Sequence, residues 1–119
     1  MKVISNYLDV ERVQGQVGEQ VIPGIFLRSV ISADDGPPNF RMRVVDFEPG
    51  SSCPKHSHWW EHEVFILSGQ GVMVCEQREI QLVKDMVIYI APNEEHQFIN
   101  NGNETLRFIC LVPLAAEEQ

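Results

Sequence analysis

Three of the chain's four histidines fall within seven positions, in the stretch HSHWWEH: His56, His58 and His62. The fourth, His96, lies in a separate run further along the chain. Imidazole is a good ligand for Fe, Mn, Ni, Cu and Zn, so this grouping predicts a metal site with a distant fourth ligand. An octahedral ion with four such neutral ligands would keep two positions open for water, oxygen or a bidentate substrate. The alternative is a chance grouping of surface or core histidines, which the joint spacing disfavours.

Strand geometry would bring these histidines together. His56 and His58 are two residues apart, so in a strand their side chains share one face. His62 has the same parity, although the residues before it can bend. His96 opens the run HQFI after a Pro-Asn turn. Two antiparallel strands would then direct all four imidazoles at one point inside a barrel.

A helical interpretation of the same stretch is also open. HWWEH fits the H-x-x-E-H pattern of inverted-motif zinc proteases, which needs a helix that places His58 and His62 on one face. The following EVFILSG is rich in β-branched and aromatic residues and ends in glycine, which disfavours a helix. This interpretation also leaves His56 and His96 without a role.

Short β-branched and aromatic runs, separated by turn-forming segments, supply the elements that must position the histidines. These runs are IFLRSVI, FRMRVVDF, EVFIL, VMVCE, MVIYI, HQFI and TLRFICLV. They predict an all-β sandwich or barrel in one domain, residues 1–119, with a core barrel at about 24–114. Segment 1–23 is a candidate for packing on a dimer partner.

Composition excludes several classes of function. The net charge of −8 opposes binding to nucleic acid or to an anionic membrane surface, because both need basic patches. The first residues lack the apolar region of a signal peptide, and no apolar run reaches the length of a membrane-spanning helix. We therefore expect a cytoplasmic protein. Three cysteines without a CxxC spacing indicate reduced thiols.

The histidines and their flanking turns resemble the two sequence motifs of the cupin family. The first motif is matched in spacing, with histidine in place of the family's glutamate, by Gly50, His56, His58, His62 and Gly69. The second keeps its histidine and asparagine but departs from the family at its first three positions: Asp85, Ala91, Asn93, His96 and Asn100. Asn93 is a mild departure, since asparagine tolerates the left-handed conformation that glycine serves.

The resemblance is greatest to small manganese-binding single-domain cupins. It implies a jelly-roll β-barrel, usually a homodimer, and a divalent metal. Mn(II) is expected first, with Fe(II), Ni(II) or Zn(II) as alternatives, bound by His56, His58, His62 and His96. Histidine in place of glutamate removes one negative charge from the ligand set, which makes the bound ion a stronger Lewis acid. It also removes the glutamate that some cupins use as a base. Glu61 and Glu63, of opposite parity to His62, are expected to point away.

Parity also predicts the wall of the barrel interior. We expect the face of TLRFICLV that carries Phe108 and Cys110 to point inward, with Phe98, which shares the parity of His96. Candidate lining residues are Phe98, Phe108, Cys110 and, from an irregular stretch, Cys53. For Arg41 and Arg43, a solvated strand face is favoured over an anchor for a substrate carboxylate.

The opposite strand faces are also apolar. Ile109, Leu111, Phe65 and Leu67 would turn outward, which suggests dimerisation through a sheet face. Trp59 and Trp60 are expected at the barrel mouth or at that interface.

Two functions follow. The first is a metal-dependent enzyme acting on a small organic molecule, with dioxygenase-type oxidative cleavage favoured and lyase, decarboxylase or isomerase chemistry as alternatives. The second is a non-enzymatic module that binds or senses a metal or small ligand. Sensing barrels usually carry a DNA-binding segment, and none is evident in this acidic sequence, so the enzyme is favoured.

Overall fold

The computed structural model describes residues 1–17 and 19–116. Within these ranges the chain forms nine strands: β1 (Val13–Val17), β2 (Gln20–Ile31), β3 (Phe40–Phe47), β4 (His62–Ser68), β5 (Gly71–Cys75), β6 (Arg78–Leu82), β7 (Val87–Ile90), β8 (His96–Ile99) and β9 (Leu106–Pro113). Its helical elements there are two short 3-10 turns, Tyr7–Asp9 and Ala33–Asp35. In this described part of the chain, no helix is long and apolar enough to cross a membrane.

The strands form two antiparallel sheets, in the orders β1-β2-β3-β9-β4-β7 and β6-β5-β8. One hydrophobic core contains side chains from both sheets, which is the jelly-roll arrangement. The predicted all-β fold is therefore confirmed. β1 and β6 fall outside the predicted runs because VQGQV and REIQL are rich in polar residues.

Burial alternates along β9 as its sequence predicts. Leu106, Phe108, Cys110 and Val112 are buried, and the residues between them are half-buried. Across the interior, the rings of Phe108 and Phe98 stack with centroids 4.8 Å apart. Each such buried aromatic side chain contributes about 1.5–3 kcal/mol through loss of water contact, so this face of β9 holds the two sheets together.

The outer face of β3 is covered by the N-terminal segment. Asp46 is fully buried there and accepts two hydrogen bonds from Arg107, from Nε at 2.7 Å and Nη2 at 2.9 Å. Arg28 and Arg12 also donate to its Oδ2, at 3.0 and 3.2 Å. Arg28 donates to the carbonyl of Val10 as well. The carboxylate thus ties the segment before β1 to three strands of the large sheet.

Asp46 is charged in this setting. Burial alone would raise its pKa, but hydrogen bonds from Arg107 and Arg28 outweigh burial and hold the pKa below its ordinary value of 3.8.

The N-terminal residues pack on their own chain through the contacts of Arg12 and Val10. Strand structure begins at Val13, earlier than the expected barrel start near residue 24. Contact of segment 1–23 with a dimer partner stays a prediction.

Left-handed turns occur where the two motifs have glycine or a substitute. Gly50 and Gly69 have φ of 84° and 83°, and Asp85 and Asn93 keep positive φ, at 74° and 67°. A Cβ at Gly69 would overlap the backbone of Thr105, so that turn needs glycine. Asp85 and Asn93 thus preserve the backbone of the motif although their side chains depart from it.

Candidate metal centre

The four histidines come from three parts of the fold. His62 opens β4 and His96 opens β8, whereas His56 and His58 lie in the segment between β3 and β4. The prediction that His56 and His58 belong to a strand is wrong. Residues 48–61, all described, hold two isolated bridges and a bend at 59–60. They contain no helix, so the H-x-x-E-H protease interpretation is wrong as well.

A two-way backbone bridge places His56 beside His96. The amide of His56 donates to the carbonyl of His96 at 3.1 Å, and the amide of His96 donates back at 2.9 Å. The two rings lie with centroids 4.5 Å apart. The ring of His58 is fixed by a parallel stack on the buried Trp60, with centroids 4.0 Å apart and an interplanar angle of 4°. Trp59 is exposed.

Backbone carbonyls fix the tautomer of three rings. Nδ1 of His56 contacts the carbonyl of Pro54 at 2.8 Å, Nδ1 of His58 that of Trp60 at 2.9 Å, and Nδ1 of His96 that of Glu94 at 2.8 Å. A carbonyl oxygen only accepts, so each Nδ1 carries the hydrogen and the lone pair of the neutral ring lies on Nε2.

The ligand atoms of His56, His58 and His96 lie within 4.8 Å of one another, a group that could hold a metal ion. Three neutral imidazoles with fixed tautomers fit a divalent transition metal. His62 is adjacent: its ring centroid is 4.7 Å from that of His58 and 5.3 Å from that of His96. It stands outside the three-histidine group, however, and its Nε2 contacts Nε2 of His58 at 3.0 Å. A four-histidine site stays a prediction.

A cavity lined by residues of both sheets adjoins the histidines. Its volume is about 100 Å³. His56, His62 and His96 contribute to its wall. Most of the remaining lining is apolar: Val17, Ile22, Ile25, Leu27, Val45, Phe47, Phe98 and Phe108.

Phe98, Phe108 and Cys110, proposed as lining from parity, and Cys53, proposed from an irregular stretch, all lie in this cavity wall. Cys53 is buried and its sulfur accepts a hydrogen bond from the amide of Phe98 at 3.3 Å. None of the three cysteines forms a disulfide bond. What these residues do for a ligand stays a prediction. The contribution of β1 to the wall, through Gly15, Gln16 and Val17, was not foreseen because its strand gives no apolar signal.

Arg43 corrects another expectation. A solvated strand face was favoured for Arg41 and Arg43, but Arg43 is only 2% exposed and lies in the cavity wall. Its Nη2 donates to Sγ of Cys110 at 3.2 Å. Arg41, which is half-buried, donates from Nη2 to the carbonyl of Ala116. A cationic side chain therefore lies in an otherwise mostly apolar wall.

Glu61 and Glu63 line a different depression, on the outer surface, with Phe40 and Leu111. Glu63 is exposed and Glu61 half-buried. This placement agrees with their parity, which predicts side chains directed away from the histidines.

Comparison with known proteins decides the family. A model of the cupin domain matches residues 43–112, which is more than half of the chain. The chain belongs to the cupin family. Solved structures similar to it include the polyketide cyclase RemF from Streptomyces resistomycificus, at 28% identity and a TM-score of 0.85. The match covers 96% of this cupin and 80% of that chain.

Two curated relatives are similar over shorter stretches. The oxalate-binding protein of Thermotoga maritima is 33% identical over 67 residues, 56% of this cupin and 55% of that protein. The uncharacterised protein MJ1618 of Methanocaldococcus jannaschii is 34% identical over 62 residues, 51% and 50% of the two chains. The match spans about half the length of these relatives. The predicted cupin membership is confirmed, whereas manganese stays a prediction.

Proposed function

We propose that this cupin is a metal-dependent enzyme that acts on a small, largely apolar organic molecule. The observation that carries the proposal is the group of three imidazoles of fixed tautomer, two of which, His56 and His96, also line a mostly apolar cavity. A divalent ion held by His56, His58 and His96 would act as a Lewis acid toward an oxygen atom of the substrate. The resemblance to manganese cupins favours Mn(II), and an imidazole-only donor set also suits Fe(II), Ni(II) and Zn(II).

The side chains of the cavity have separable roles in this proposal. Ile25, Leu27 and Phe47 would exclude water and bind the apolar body of the substrate. The stacked pair Phe98–Phe108 favours a flat group, because aromatic rings pack well on one another. The guanidinium N–H groups of Arg43 would orient an electron-rich oxygen of the same molecule.

The reaction class is proposed from the cavity and the relatives together. RemF is named as a polyketide cyclase, and that likeness supports ring closure on a carbonyl-bearing chain. Oxidative cleavage, favoured from the sequence, remains the alternative because a three- or four-histidine site would leave metal positions open. A binding module for a small dicarboxylate is a second candidate, supported by the oxalate-binding relative and by the buried Arg43.

Ligand preference separates these candidates. We expect Mn(II)-loaded protein to bind benzoylacetone, a flat β-diketone with one phenyl ring, at least about 10-fold more tightly than oxalate, since burial of the ring stabilises the complex by about 1.5–3 kcal/mol. Isothermal titration calorimetry measures both affinities. Loss of the diketone absorbance under air and under nitrogen then shows whether conversion needs oxygen.

The matched controls use two phenylalanines. Phe108→Ala, in the cavity wall, should weaken benzoylacetone binding, and Phe65→Ala, on the outer surface, should leave it unchanged. Tighter binding of oxalate than of benzoylacetone, without conversion of either, would contradict the enzyme proposal and favour the binding module.

A homodimer is also proposed. The outer faces of β4 and β7 expose Phe65, Tyr89 and Val87, at 41, 59 and 73%, and Phe65 pairs with Val87 across the strands. Exposed neighbouring apolar side chains of this kind are typical of interfaces. We expect the mass of a dimer by light scattering, and a monomer for Val87→Glu. The control Val83→Glu, on an exposed turn, should stay dimeric, and a monomeric unmodified protein would contradict the proposal.

A further inference from the structure

β1 has a glycine at its buried central position. In VQGQV, Gly15 is buried and the other four residues of the strand are exposed. A glycine weakens the interior of a strand, and it often marks a bulge or a place where a ligand or another backbone comes close. Gly15 lies in the wall of the cavity beside Ile25. Its missing side chain therefore bears on the space that a ligand would occupy.

The partner strand bulges opposite this glycine. The strand pairs on either side of Gly15 leave residues 22–25 of β2 against this single residue of β1. Pro23, within the bulge, has no amide hydrogen to donate to the ladder. Both ends of the bulge, Ile22 and Ile25, lie in the cavity wall. The bulge thus places two branched side chains in the wall beside a residue that has none.

A side chain at position 15 would collide with Ile25. A Cβ on Gly15 would lie 3.0 Å from Cγ2 of Ile25 and 3.3 Å from its carbonyl oxygen, closer than two such atoms pack at their optimal separation. The backbone of Ile25 is held by its pairing with Phe47. The preceding carbonyl, of Gly24, accepts a hydrogen bond from the amide of Glu48 at 2.8 Å. The side chain of Ile25 is therefore the part that must move.

The cavity is the space available to a displaced Ile25. Its side chain is 4% exposed and packs in the hydrophobic core, where close packing leaves little other room. The cavity it adjoins has a volume of about 100 Å³. β1 is tied to β2 on both sides of the glycine, by the pairs Gln14–Phe26 and Gln16–Val21, which opposes an outward shift of the strand. A methyl group at position 15 would consequently narrow the cavity.

We propose that Gly15 is a specificity-determining residue. Because it has no side chain, Ile25 stands back from the cavity and leaves room for an apolar ring on the ligand. With alanine at this position, the cavity would favour a short aliphatic ligand. For the identity of the ligand this role rests on the proposed function, whereas the shape of the cavity does not depend on it.

Xenon tests the shape of the cavity without metal or substrate, since it enters apolar cavities. In xenon-pressurised crystals of the metal-free protein, we expect a xenon site beside Ile25. In Gly15→Ala the side chain of Ile25 should be displaced into the cavity, with loss of the xenon site. The double variant Gly15→Ala/Ile25→Ala removes Cγ2 and should regain the site.

Ligand size tests the specificity in solution. Mn(II)-loaded Gly15→Ala should bind benzoylacetone at least about 10-fold more weakly than the unmodified protein does, the usual effect of one methylene-sized change in an apolar pocket. Acetylacetone, which lacks the phenyl ring, should bind within about 2-fold of its unmodified affinity, since the displaced Ile25 takes the space of the ring and not that of the diketone. Isothermal titration calorimetry measures both affinities.

The matched control is Gly102→Ala, the same substitution where the nearest atoms lie 3.5 Å or more from a Cβ. It should behave as the unmodified protein, and thermal unfolding confirms that each variant is folded. An outward shift of β1 that leaves Ile25 and the xenon site unchanged overturns the role of Gly15, as does absence of a xenon site in the unmodified protein. Equal losses of affinity for the two diketones overturn it too. If the unmodified protein binds neither diketone, the proposed function is contradicted, and the crystals still decide whether Gly15 sets the cavity.

Discussion

Replacing His96 with alanine is expected to lower the affinity for Mn(II) or Zn(II) by at least about 100-fold, more than is typical for loss of an outer partner of a ligand. His96 is only 2% exposed, and its ring is held by the Glu94 carbonyl and by the backbone bridge to His56. Loss of its imidazole would leave two members of the three-histidine group, and no water molecule could replace the ring with equal affinity. Competition titration with a metal-binding dye measures the affinity.

The rank order of the variants makes this prediction specific. His62→Ala should weaken binding less, by about 10-fold, because His62 stands outside the three-histidine group in the metal-free chain. Gln81→Ala, at an exposed position on β6, should have no effect. Equal losses for His62→Ala and His96→Ala would contradict the inequivalence of the two histidines. An unchanged affinity of His96→Ala would contradict the site itself.

Replacing Asp46 with alanine is expected to lower the free energy of unfolding by about 3–5 kcal/mol, the usual cost of removing one partner from a buried ion pair. Arg107 and Arg28 would lose the carboxylate that they contact, and Arg12 would lose its contact from the N-terminal side. Chemical denaturation measures the change. Asp34→Ala, at an exposed aspartate, is the control and should fall within about 0.5 kcal/mol.

The same residue predicts an acid dependence of stability. The pKa of Asp46 is lower in the folded chain than its ordinary value of 3.8, so protonation favours unfolding. Its contribution is complete above pH 4 or so and is lost as the pH falls through the folded value. The stability difference between the unmodified protein and Asp46→Ala should therefore shrink at acid pH. A difference that stays constant from pH 6 to pH 2 would show that the carboxylate charge contributes nothing.

Strand periodicity made much of the fold predictable. Residues that face one side of a strand recur every two positions, so the inward direction of Phe108 and Cys110 on β9 follows from the sequence alone. The same rule gives the inward direction of Phe98, which shares the parity of His96 on β8. Turn residues marked most strand ends for the same local reason.

Some features of the site could not be predicted because they depend on distant contacts. His56 and His58 do share one cluster, but a bridge to His96 and a stack on Trp60 place them there, not strand alternation. A spacing of two residues gave no indication of either contact. Arg43 illustrates the opposite case, as its parity with Val45 and Phe47 was a sign of burial that the general preference of arginine for the surface obscured.

The ion-pair cluster at Asp46 was also beyond the sequence. Its arginines are 34, 18 and 61 positions away along the chain, and sheet pairing alone brings them together: Asp46 is opposite Phe26 on β2 and Arg107 on β9. Nothing local to residue 46 signals this arrangement. Contacts that depend on pairing between strands far apart in sequence could not be predicted from this sequence.

The measurement that tests the central claim most directly is anomalous diffraction from crystals of the metal-loaded protein, recorded at the absorption edge of the metal. We predict one peak per chain at the wall of the cavity, about 2.0–2.3 Å from Nε2 of His56, His58 and His96. A further contact to Nε2 of His62 would show the four-histidine form. A peak bound elsewhere, or crystals grown with excess metal that show no peak at these three histidines, would contradict the account.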